Sequence, residues 1–215
     1  MATNFPASAV DDLDGNQRWV DGITIVTASP LNNIQDAIDA LQAKVGVNAS
    51  TVQSSIDFFM RKNYVKVSDV KDSASAGTFT ANTWVTRDLN TEDNDVGSLC
   101  TLSSNQITLV AGTYRCDIVV PANAVQGHAA RLYNVTADEE IIRGTAEWIN
   151  SGGIGADTVT TWSKIKGQFT IVASQALEVQ HYCLSNNGVA TTSLGRRVFT
   201  SSNNVYTVAE FWKLY

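Results

Sequence analysis

The sequence predicts a mainly β protein: a C-terminal antiparallel sandwich or jelly roll, preceded by a short helical stalk and an extended N-terminal arm. Three observations carry this. Thr (22), Ser (18) and Asn (17) make up about 27% of the 215 residues while charged residues make up only 17%, a bias that suits strands and turns better than solvent-facing helices. From residue 77 onward, period-two apolar runs alternate with turn clusters. The interval 29–46 instead repeats every three and four residues, as a helix does.

Residues 1–29 mix Asp11, Asp12, Asp14, Gly15, Asp21 and Gly22 with scattered apolar groups and hold no helical period, which reads as an extended arm. Ile23 and Ile25 alternate with Thr24 as in a short strand, a segment too small to bury Trp19 by itself. Phe5, Trp19, Val20, Ile23 and Ile25 are therefore candidate anchors to an external or inter-subunit surface, the alternative being that the arm folds back on its own stalk.

Residues 30–76 read as stalk and linker. Ser29 suits an N-cap, Pro30 the first helical position and Gly46 a left-handed C-cap. Between them Leu31, Ile34, Ile38, Leu41 and Val45 follow a 3-4-3-4 spacing with polar residues elsewhere, an a/d seam too narrow for a large core. A helix of about 16 residues is marginal alone in water, so the seam predicts self-association, with the number of copies left open by its Leu/Ile mixture. Ser50-Thr-Val-Gln53 has capping-box form, and Val52, Ile56 and Phe59 extend a second short helix over about 50–61. The small, polar run Lys71–Gly77 places the junction with the head near 71–77.

Residues 77–215 form the predicted head. Tyr114, Cys116, Ile118 and Val120 face inward against Arg115, Asp117 and Val119; Ile165, Gly167, Phe169 and Ile171 repeat the device, as do Leu177, Val179, His181 and Cys183. The final run Val205–Tyr215 is apolar on both faces, as in a central or interface strand, and predicts a buried C-terminus.

Charge and composition exclude several classes. Fifteen basic and 21 acidic side chains leave a net charge of −6, with 8 acidic and 5 basic groups through residue 70 and 13 and 10 after it. No segment offers a phosphate-neutralising face, so nucleic acid is not an expected partner. No window approaches the roughly 18 consecutive apolar residues of a membrane span, and the opening residues lack the basic start and apolar stretch of an export signal. Cys100, Cys116 and Cys183 are odd in number and widely spaced, which predicts buried thiols rather than a disulfide framework or a zinc site.

No catalytic residue, cofactor or metal is expected. The two histidines lack a third orienting group and an oxyanion loop, so His181 reads as a buried structural histidine and His128 as a strand-start residue held by hydrogen bonds. Glu92–Gly97 is a fragment of a calcium loop without the distant bidentate Glu and reads as a solvated turn; Asp138-Glu-Glu140 reads as a charged hairpin tip. Ser151-Gly-Gly-Ile-Gly155 lacks the lysine and strand-to-helix setting of a phosphate cradle and reads as a flexible loop.

Several stretches in sequence order resemble the C1q/TNF-like jelly-roll domains of bacteriophage virion proteins: Gly77–Trp84, Ala111–Arg115, His128–Thr136, Gly167–Thr170, Leu177–Tyr182 and Glu210–Lys213. Asn4-Phe-Pro6 and Asn32–Gly46 are similar to N-terminal regions of phage structural proteins. The resemblance implies a homotrimer, with three jelly rolls around a threefold axis above a three-stranded coiled-coil stalk, and the short seam makes it a squat particle rather than a long fibre. The expected function is a non-enzymatic capsid decoration, or cement, protein on the virion surface, its arm bound to the major capsid protein or another virion protein. The alternative is a tail-fibre or receptor-binding protein whose loops, among 90–98, 123–128, 150–157 and 185–197, recognise a host surface glycan or protein.

Overall fold

The computed structural model describes residues 10–11, 17–21, 24–45, 56, 62–149, 159–186 and 191–215, of which 10–32 by backbone alone. The chain divides into two units, Met1–Met60 and Arg61–Tyr215.

In the first unit, β1 (Val10–Asp11), β2 (Gln17–Asp21) and β3 (Thr24–Thr27) form an antiparallel sheet in that order, with Trp19 opposite Val26 and Val20 opposite Ile25. The arm is therefore not a single extended strip. Asp21 pairs with Thr24, leaving two residues to join β2 and β3, the shortest connection that turns a strand back on its neighbour. Of the candidate anchors, Trp19, Val20 and Ile25 lie on these strands, while Phe5 and Ile23 fall outside the described residues.

Helix α1 spans Ala28–Val45 and begins before the predicted cap, so Ser29 and Pro30 occupy its first turn, where a missing backbone N–H costs nothing. Ile34 (57% exposed), Ile38 (44%), Leu41 (62%) and Val45 (47%) carry the seam on one exposed face; the Leu31 side chain lies outside the described residues, as does the predicted cap Gly46. Of the second predicted helix, Ile56 is helical and exposed, and most of the remainder is outside the described residues.

The second unit is an antiparallel sandwich. Its strands are β4 (Tyr64–Asp72), β5 (Trp84–Thr86), β6 (Thr91–Asn94), β7 (Cys100–Ser103), β8 (Gln106–Leu109), β9 (Gly112–Asn123), β10 (Gly127–Asn134), β11 (Glu139–Trp148), β12 (Thr160–Ile171), β13 (Gln175–Cys183) and β14 (Asn203–Lys213). One sheet runs β11-β10-β13-β8-β7 with β5 beside β13; the other runs β12-β9-β14-β4-β6. The predicted alternation holds: Tyr114, Cys116, Ile118, Val120, Leu177, Val179, His181 and Cys183 are all buried, and the neighbours Arg115, Asp117 and Val119 point away.

Two expectations are corrected. The head begins at Arg61 rather than at 77, because Val65 and Val67 of β4 are wholly buried between the sheets. The run 71–77 resembles a linker in composition, yet Ser73 N donates to Ser202 O and Ala76 N to Gly195 O; its residues are small because they pack against that segment. The C-terminal strand is central, between β9 and β4, but Tyr215 itself is 77% exposed, since the chain runs past the end of the sheet.

The apolar interior falls into two clusters. The larger includes Val65, Val67, Ile118, Leu132, Ile165, Val179, Ala209 and Phe211. The smaller comprises Ala76, Phe79, Ala122, Val125, Cys183 and Leu194, with Ala81, Val85 and Tyr206 packed against it. Asp69, His128, Ser163, His181 and Thr207, from β4, β10, β12, β13 and β14, are buried as well, as is Arg87 from the segment after β5.

Candidate assembly interface

The inward alternation of β9, β12 and β14 forces their other residues onto the outer face of the five-stranded sheet. There Val119 lies opposite Val208, Pro121 opposite Trp162 and Val70 opposite Val205. Trp162 is 50% exposed and Val205 58%, and beside them Val198 and Phe199 are exposed as well. Pro121, Trp162, Phe199, Val205 and Tyr206 line a groove of about 280 Å3.

Asn204 builds the rim of this groove. Buried to 5%, it accepts the Val198 and Phe199 amide hydrogens at 2.8 and 2.9 Å on Oδ1 and donates from Nδ2 to the Phe199 carbonyl at 2.9 Å. The side chain satisfies the turn's backbone and thereby turns two apolar side chains outward. Tyr206, whose hydroxyl donates to Ala74 O at 2.7 Å, also lines the groove.

The six-stranded sheet carries polar side chains paired with one another over part of its outer face, and exposed Trp148 and Leu184 beside a second, apolar cavity of about 320 Å3. The Arg131 guanidinium lies between the Trp84 and Tyr133 rings and donates to Gln180 Oε1 at 2.9 and 2.7 Å. Glu178 accepts from Thr86, Gln106 and Gln180; these hydrogen bonds hold its carboxyl below the usual range against the opposing pull of burial. Glu140 pairs with Arg131 and Arg143. The five-stranded sheet likewise pairs charges on its outer face, Lys166 with Asp117 and Tyr64 with Glu210, beside its exposed apolar groups.

Of the interior polar groups, the two histidines are hydrogen-bonded to one another. His128 Nδ1 and His181 Nε2 lie 2.9 Å apart, and His128 Nε2 is 2.7 Å from Thr161 Oγ1. Burial, and then the nearby Arg87 charge, lower the His128 pKa to about 4 and that of His181 well below its ordinary value, so both rings are neutral at pH 7. Neither is open to a substrate, in keeping with the structural roles read from the sequence. Burial pushes the thiols of Cys116 and Cys183 to about 11 and that of Cys100 to about 12, leaving no thiolate at neutral pH. Cys100 is only half-buried, a departure from the expectation of three buried thiols.

Sequence reasoning missed Arg87 and Asp69, although the signal was present. Asp69 stands in phase with Val65 and Val67, and Arg87 in phase with Val85 and Leu89, so each charge occupies the inward position of an alternating run.

The solvated turn expected at Glu92–Gly97 is in part a strand. Asp93 lies on β6, where it accepts from Ser68 Oγ at 2.7 Å, and the Asp95 carboxylate accepts the Leu99 and Cys100 amide hydrogens at 2.8 Å each. Among the described residues no three His, Cys, Asp or Glu side chains come together as a metal site. Of the hairpin tip expected at Asp138-Glu-Glu140, Asp138 lies in the turn between β10 and β11 with φ 56°, whereas Glu139 and Glu140 already pair with β10 as the start of β11. Of the loops considered for recognition, Asn123, Ala124, Val125, Ser193 and Leu194 are buried, with Asn123 N donating to Ser193 O. Residues 150–158 and 187–190 lie outside the described residues.

No family model and no curated protein match this sequence. Solved structures of low identity are similar to it. The globular domain of zebrafish complement 1qA protein is 13% identical with a TM-score of 0.46, covering 72% of this chain and 98% of that one. Eiger TNF from S. frugiperda is 11% identical with a TM-score of 0.46, covering 71% and 92%. Murine APRIL at pH 5.0 is 13% identical with a TM-score of 0.42, covering 70% and 98%.

Proposed function

We propose that this chain is a non-enzymatic phage structural protein: a homotrimeric capsid decoration protein that binds the virion through its N-terminal segment and displays the sandwich as a head. The observation that supports self-association is the seam of α1, where, among the described residues, Ile34, Ile38, Leu41 and Val45 stand exposed. Copies of the same helix bury such a seam most economically, and a closed trimer is one such assembly. The virion assignment rests on the resemblance of residues 4–6, 32–46 and 77–215 to phage structural proteins. Binding only to the assembled shell stabilises it by mass action, and three linked arms raise the avidity of each particle.

Receptor binding through the loops is the weaker reading, since parts of 123–128 and 185–197 are committed to the interior. The test mixes purified protein with undecorated capsids and, separately, with host cells, alongside a variant lacking residues 1–28. Capsid binding that is lost with the deletion supports decoration. Cell binding that survives it moves the function to the head and overturns this assignment.

A further inference from the structure

We propose that the sandwich encloses an internal hydration site, in which ordered water bridges the side chains of Asp69, Arg87, His181 and Thr207. The inference does not depend on how the chain assembles or what it binds.

The two sheets bring these four residues together. On β14, Val205 pairs with Val70 and Val208 with Ser68, so Tyr206 and Thr207 together oppose Asp69, two residues against one. A bulge of this kind re-aims a side chain, and Thr207 in that position is wholly buried. In the other sheet Val85 pairs with His181, and the Arg87 amide continues the ladder by donating to Val179 O at 2.8 Å. Residues two apart on a strand share a face, so Arg87 stands on the same side as Val85 and His181. Its Nη2 then lies 3.5 Å from Asp69 Oδ2, across the interior.

All four residues are wholly buried, yet Asp69 Oδ1 and Oδ2, Arg87 Nε and Nη2, His181 Nδ1 and Thr207 Oγ1 make no hydrogen bond to any described residue. The approaches to Asp69, 3.5 Å from Arg87 Nη2 and 3.6 Å from Lys71 Nζ, are ion pairs longer than a hydrogen bond. The remaining nitrogens are engaged: Arg87 Nη1 donates to Pro121 O at 3.4 Å, and His181 Nε2 shares a hydrogen bond with His128 Nδ1 at 2.9 Å. One unpaired buried polar atom is costly, and several together offset much of the stability of a domain. The fold therefore needs partners for them.

The donor set selects the occupant. Arg87 offers only N–H groups, an ionised Asp69 only acceptor oxygens, and Thr207 and His181 can act in either sense. Asp69 repels an anion here and Arg87 repels a cation, whereas water donates to the first and accepts from the second. Burial raises the Asp69 carboxyl pKa while the Arg87 and Lys71 charges lower it. In either protonation state its two oxygens find complementary partners in water.

The test is a high-resolution crystal structure of the full chain, with water-to-protein nuclear Overhauser measurements in solution. The expected result is at least one water within about 3.2 Å of an Asp69 oxygen and of a second atom of the set, with cross-peaks from a long-lived water to the Thr207 and His181 protons. Thr207→Val should weaken or shift that water, and the joint change Asp69→Leu with Arg87→Met should abolish its cross-peaks. Should the double variant fail to fold, Thr207→Val and the wild-type structure decide by themselves. Asp69 bonded directly to Arg87 and Thr207 with no density between them overturns the site. So does a peak with the anomalous scattering of a halide or the short contacts of a metal ion, and so do cross-peaks that persist unchanged in both variants.

Discussion

Asp69 and Arg87, both wholly buried, approach to 3.5 Å across the core, yet neither Asp69 oxygen makes a hydrogen bond with any described residue. The Arg87 guanidinium finds one acceptor, the Pro121 carbonyl at 3.4 Å. Two charges held in this way attract each other strongly but remain expensive to keep out of water.

Removing one partner strands the other. Asp69→Ala should destabilise the sandwich by about 3–5 kcal/mol in urea unfolding, whereas the joint replacement Asp69→Leu with Arg87→Met should cost much less than the two single changes together. Additive costs would show that the pair is not coupled.

The α1 seam makes a prediction that separates stalk from head. Ile38→Asp places a carboxylate in the middle of the exposed stripe, where burial against a second copy becomes unfavourable. Sedimentation should show weakened association, while the far-UV circular dichroism of the sandwich and its melting temperature are unchanged. A wild-type chain that is monomeric at micromolar concentration removes the basis for the seam.

Arg131 is fixed by planarity as much as by charge, stacked 4.1 Å from the Trp84 centroid and 4.3 Å from that of Tyr133. Arg131→Ala should cost about 1–2 kcal/mol, and Arg131→Lys should recover little of it, since an ammonium neither stacks flat nor donates two hydrogen bonds to Gln180. Thermal unfolding of the three proteins checks this order.

The thiols should be silent in the native protein. At pH 8, Cys116 and Cys183 are expected to resist an aromatic disulfide reagent for hours and then to react completely in urea, because burial holds both thiols near 11. Rapid native reaction at either one would mean that the sandwich opens locally.

Asn204→Ala leaves the turn after Val198 without its internal acceptor and donor. It should lower stability by about 1–3 kcal/mol and reduce association together, since the lost bonds are the ones that hold Val198 and Phe199 outward. Loss of stability with unchanged association would remove this turn from the interface.

The strands of the head were legible because each buries one face, and a period of two records that directly. This is why Tyr114 to Val120 and Leu177 to Cys183 read correctly residue by residue. The same alternation carried the clue to Asp69 and Arg87, but a charge at an inward position gains meaning only when its partner, 18 positions away in sequence, is brought beside it. The boundary at 71–77 was misread because small polar residues are equally suited to a solvated linker and to a tight passage between packed segments.

By itself the sequence determined the antiparallel sandwich, the position of helix α1, and the buried, hydrogen-bonded setting of both histidines. Local periodicity and side-chain chemistry suffice for these. Only the tertiary structure decided that β4 belongs to the head, that Asp69 meets Arg87 and His128 meets His181 inside it, and where exposed apolar side chains gather on the sheet faces. Each depends on contacts between residues far apart in the chain, and those arise only when the two sheets close on each other.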